Sequence, residues 1–114
     1  MILTMEDRIS KDGSRITATE FEVRPLNADG DSEDVLHYPT EAVAMDEAKA
    51  LLAGGYYQTE ATPIKAVAVE KHISRRPAHL HAEPDTFTIL AVMGDKSALE
   101  MWGWQPGEST WLEN

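Results

Sequence analysis

The stretch between Pro39 and Gly54 is the one strongly helical segment of the chain, and nearly everything on either side of it has the alternation and composition of β-strand. At about 100° per residue, Ala44, Met45, Ala48, Leu51 and Leu52 fall on one face of a helix over 41–53, with Asp46, Glu47 and Lys49 outside it. Thr40 is placed to accept a hydrogen bond from a free first-turn N–H, and Pro39 before it suits an extended approach. Glu41 lies where the positive end of the helix dipole favours an acid, and Lys49 lies in the C-terminal half. Gly54-Gly55 supplies the left-handed residue a helix end favours. With Ala44 and Ala48 on its apolar face, this helix can approach a sheet closely.

Strand character runs over 2–10 and 15–26, separated by Lys11-Asp12-Gly13-Ser14, an Asp-Gly hairpin signal. In the second run Phe21 and Val23 share one face while Ile16 and Ala18 point to the other, which predicts a bulge near Thr19. Pro25 is expected to stop ladder pairing or to sit on an edge. A polar turn over 27–34 leads to a short strand, Val35–Tyr38, and the helix. After a loop over 54–63, residues 64–73 alternate with small or apolar residues on both faces, as a central strand does. Residues 74–84 read as a loop, 86–93 as a strong strand, 93–97 as a turn, and 98–104 as a final strand. Trp102 and Trp104 would then share a face.

Strands, one helix and strands in that order predict an α+β fold: a mostly antiparallel sheet of roughly five or six strands with one α-helix packed on one face. The 114 residues read as one domain, with a tail frayed from about residue 105. One helix leaves much of such a sheet uncovered. Val92, Met93, Trp102 and Trp104 therefore suggest apolar surface for a homodimer through a sheet face or edge.

Cysteine is absent, which excludes disulfide scaffolds, thiolate nucleophiles and thiolate zinc sites. The first residues lack the basic start and apolar run of a signal peptide, and no segment has the apolar length of a membrane span. A cytoplasmic protein without membrane contact is the expectation. No Gly-x-Ser-x-Gly or phosphate loop is present, so neither catalytic residues nor a cofactor are expected.

The net charge of −10 is unevenly placed. Asp29, Asp31, Glu33, Asp34, Glu41, Asp46 and Glu47 lie between Leu26 and Glu47 with no Lys or Arg among them. Lys65, Lys71, Arg75 and Arg76 dominate 65–81, with His72, His79 and His81. An acidic field disfavours phosphate backbones and favours a basic partner. The function expected is a small acidic non-enzymatic binding protein, of the inhibitor, immunity or adaptor kind, that engages a basic protein surface through Asp29, Asp31, Glu33, Asp34 and Glu41.

Asn27, Asp29, Asp31 and Glu33 place oxygen donors at alternate positions. A calcium loop of the EF-hand kind would need glycine at its sixth place and a bidentate Glu at its twelfth; here these fall at the fourth place and on Tyr38. The alternative ligand site is the 74–84 segment. His79, His81 and Glu83 alternate there and could serve zinc or iron with His72 or Asp85 as a further donor, while Arg75 and Arg76 could clamp a carboxylate or phosphate. That site would make the protein a small enzyme or ligand-binding protein. A third reading, single-stranded nucleic-acid binding through Lys71, Arg75, Arg76 and Trp104, runs against the net charge.

Overall fold

The computed structural model describes the backbone of residues 8–9, 14–32, 34–54, 63–77 and 86–112, and the side chains of 18–32, 34–54, 63–74 and 86–112. Its elements are strands β1 (Arg8–Ile9), β2 (Ser14–Leu26) and β3 (Leu36–Tyr38), helix α1 (Glu41–Leu52), strands β4 (Ala66–Pro77) and β5 (Thr86–Gly94), helix α2 (Lys96–Trp102) and strand β6 (Thr110–Leu112). The six strands among the described residues form one sheet. Its main order is β1-β2-β4-β5-β6, with β3 also on β2. Because β4 runs along β2 from Ser14 to Leu26, β1 (at Ile16 and Arg15) and β3 (at Phe21 to Val23) share the other side of β2.

The helix over 41–52 forms where its periodicity places it. Val43 N donates to Thr40 Oγ1 at 3.2 Å, and Ala44, Ala48 and Leu51 are buried. They pack with Val23, Val67, Val69 and Met93, the odd-numbered face of the sheet. The alternation over 64–73 is also realised: β4 is central, with β2 and β5 on either side. The bulge in β2 falls between Ile16 and Ala18, two residues before the expected place. Pro25 stays in the ladder opposite Val67, where β3 has already ended at Val23. Pro25 thus has a strand neighbour on one side only, which accommodates its missing N–H.

Several expectations are corrected or refined. The segment over 98–104 is not a strand: Lys96–Trp102 is a second helix. Asp95 caps it by accepting from Ser97 N at 2.9 Å, and Gly103 ends it with φ of 115°. Ala98 and Leu99 bury against Leu26, Ala66, Ala68, Val92 and Trp104, on the even-numbered face. The two helices therefore cover opposite faces of the sheet. Next, the sheet is mostly antiparallel but carries one parallel pair, β5 with β6, which α2 makes possible as the crossover connection. The expected frayed tail contains β6, held as Val92 pairs with Trp111 and Met93 with Leu112.

The segment over 74–84 is not all loop either, since β4 continues to Pro77 by pairing Ser74 with Ala18, Arg75 with Ile16 and Arg76 with Arg15. Finally, Val92, Met93 and Trp104 supply no docking surface: they are 0%, 1% and 3% exposed inside the chain. Among the described residues, no helix is long and apolar enough to cross a membrane.

Candidate polar site on the sheet face

Helix α2 covers only one end of the even-numbered face. Along β2 the residues of that face run Leu26, Arg24, Glu22 and Glu20, and along β4 they run Ala66, Ala68, Glu70 and His72. The apolar half lies under α2. Beyond it the same alternation delivers charged side chains. Residues directly opposite in an antiparallel ladder share a face, so Glu22 meets Glu70, Glu20 meets His72, and on the other side of β2 Glu22 meets His37 of β3.

Two carboxylates of this group are buried, Glu22 and Glu70, each 4% exposed. Burying a carboxylate without partners costs several kcal/mol, and each has found one on a diagonal. Arg24 Nε donates to Glu70 Oε1 at 2.9 Å, its guanidinium lying 5.6 Å from the centre of the Trp102 ring. His72 Nδ1 lies 3.0 Å from Glu22 Oε1. The same oxygen is 3.5 Å from His37 Nδ1, which is also 3.0 Å from Glu20 Oε2. Glu20 and His37 stand half exposed at the rim, so the group runs from a buried floor to an accessible edge. Phe87 stacks on His72 with ring centres 4.3 Å apart and planes 10° from parallel, fixing the imidazole plane.

Chemically, Glu20, Glu22, His37 and His72 are a donor set of two carboxylates and two imidazoles, with Glu22 Oε1 as its buried oxygen. One ligand atom each from Glu20, Glu22 and His72 lie within 4.8 Å of one another.

Of the residues singled out from the sequence, His72 stands in this group, and the other described ones lie elsewhere. Asp29, Asp31, Asp34 and Glu41 are exposed, and Glu33 lies outside the described residues. Asn27, counted with them as an oxygen donor, is committed to the turn: its Oδ1 accepts from Asp29 N at 2.9 Å and Asp31 N at 3.0 Å. Asp34 Oδ1 accepts from Val35 N at 3.1 Å. Arg75 and Arg76 are placed by their backbone in β4, and His79, His81, Glu83 and Asp85 lie outside the described residues. Trp102 and Trp104 are on and after α2 rather than on one strand; Trp104 Nε1 donates to Ser109 Oγ at 3.0 Å.

Sequence reasoning passed over Glu20, Glu22, His37 and, as part of this group, His72. A signal was present: Glu20-x-Glu22 and Glu70-x-His72 each put two polar groups on one face of a strand. Only the register of β2 on β4 brings those two faces together. No family model, no curated protein and no solved structure matches the chain, so function is argued from the chain's own chemistry.

Proposed function

We propose that this chain is a small binding protein that engages a basic protein surface through the acidic turn after β2 and the start of α1. The observation that carries the reading is the state of its carboxylates. Asp29, Asp31, Asp34 and Glu41 are exposed, and none of them makes an ion pair among the described residues. Exposed carboxylates on a chain of net −10 can meet cations on a partner and steer its approach.

The first half of the turn is braced by hydrogen bonds within it, which lowers the ordering cost of binding. Asn27 N donates to Asp31 O at 3.0 Å, and Asn27 Oδ1 gathers two more backbone N–H groups. Gly30, with φ of +79°, lies so close to α2 that an added Cβ would stand 2.5 Å from Trp102 N. The carboxylates are thus displayed from a turn anchored to the core.

Self-association enters the same reading as a homodimer joined along a sheet edge, because Val92, Met93 and Trp104 are committed to the interior. Light scattering at high micromolar concentration should give the dimer mass, and a monomer throughout would remove this element. The partner reading is tested by capture on immobilised wild-type chain and on an Asp29→Lys/Asp31→Lys/Asp34→Lys variant. Proteins held by the wild type and lost by the variant should be basic. A retained set identical for both would contradict it.

A further inference from the structure

We infer that Glu20, Glu22 and His72 form a binding site for a divalent cation of the zinc class, with His37 standing beside it as a fourth donor. The inference is independent of the acidic-turn reading and uses none of its residues.

Three observations converge. The first is geometric. A zinc ion about 2.0–2.1 Å from two donors holds them about 2.9–3.4 Å apart, for angles between right and tetrahedral. His72 Nδ1 and Glu22 Oε1 are 3.0 Å apart, as are His37 Nδ1 and Glu20 Oε2, and His37 Nδ1 is 3.5 Å from Glu22 Oε1. The two 3.0 Å separations fall inside that range and the 3.5 Å one just above it, and one ligand atom each of Glu20, Glu22 and His72 lie within 4.8 Å of one another. A cation there replaces the proton shared between His72 Nδ1 and Glu22 Oε1.

The second is charge. Glu20, Glu22 and Glu70 bring three carboxylates to this face, and Arg24 is committed to Glu70 at 2.9 Å. Glu20 and Glu22 are left facing two histidines, and a dication matches the pair. The third is rigidity. Glu22 is buried, His72 is stacked on Phe87, and both stand on central, paired strands. Imidazole and carboxylate donors together suit zinc and neighbouring transition metals better than calcium or magnesium.

The test is titration of untagged, metal-stripped protein with Co²⁺, read by visible absorption, and with Zn²⁺, read by calorimetry. One ion per chain is expected. Glu20→Gln should weaken binding at least tenfold with an unchanged circular dichroism spectrum, since that side chain is half exposed. His72→Asn should weaken it further, and Glu20→Gln alone decides the matter if His72→Asn does not fold. A His79→Ala/His81→Ala pair should bind as the wild type does. Sub-stoichiometric binding by the wild type, unchanged binding by Glu20→Gln, or loss of binding in the His79/His81 pair would each overturn the assignment.

Discussion

Glu22 and Glu70 face each other across the β2–β4 ladder, and both are buried. Like charges directly opposite on a sheet repel, and each alone would bear a desolvation cost. The ladder resolves this by offsetting both pairs in the same sense: Arg24 reaches diagonally to Glu70 at 2.9 Å, and Glu22 reaches diagonally to His72 at 3.0 Å. A polar network therefore continues the face on which α2 packs its apolar core.

That arrangement makes a double-mutant prediction. Arg24→Met removes the cation from a buried carboxylate and should destabilise the fold by about 3 kcal/mol in urea unfolding. Adding Glu70→Leu should recover most of the loss, because no buried charge is then left unpaired. Equal, additive losses would mean that the two residues do not depend on each other.

Leu51 is fully buried between α1 and the odd-numbered face, while Val43 on the same helix is exposed. Leu51→Asp should cost several kcal/mol and leave the chain largely unfolded. Val43→Asp should change stability by no more than about 0.5 kcal/mol. A Leu51→Asp protein that melts like the wild type would remove the packing of α1 on the sheet.

Gly30 couples the acidic turn to α2. A Cβ at this position would meet the backbone of Met101 and Trp102 at 2.7 and 2.5 Å, at a φ of +79° that side chains rarely adopt. Gly30→Ala should destabilise by more than about 1 kcal/mol and shift tryptophan fluorescence, since Trp102 and Trp104 lie at that end. Gly54→Ala is the control: its φ is also positive, but the added Cβ meets nothing within 4 Å. Equal effects would assign the loss at Gly30 to backbone strain alone.

What was legible in the sequence depended on how local the signal was. Thr40, Ala44, Ala48 and Leu51 declare α1 within one turn-by-turn period, and β4 and β5 declare themselves by alternation and β-branched content. Helix α2 is only seven residues long, and its Ala98, Leu99 and Trp102 fit strand spacing nearly as well as helix spacing. Its decisive marks are Asp95 and Gly103, which also read as turn residues. The parallel β5–β6 pair followed α2 out of sight, because a parallel neighbour requires a crossover. The polar site was hidden for a different reason. Glu20, Glu22, His37 and His72 come from three strands and meet only through register, which no local pattern records.

The central claim is that recognition resides in the acidic turn, and one comparison tests it most directly. Asp29→Lys/Asp31→Lys/Asp34→Lys and Arg75→Ala/Arg76→Ala/His79→Ala/His81→Ala are assayed beside the wild type for association rate with a captured basic partner. The triple variant should keep its melting midpoint, because exposed unpaired charges contribute little to folding, and should associate at least tenfold more slowly at low salt. The quadruple alanine variant should associate at the wild-type rate. A triple variant that binds at the wild-type rate while the alanine variant fails would contradict the account and move the function to the 74–84 segment.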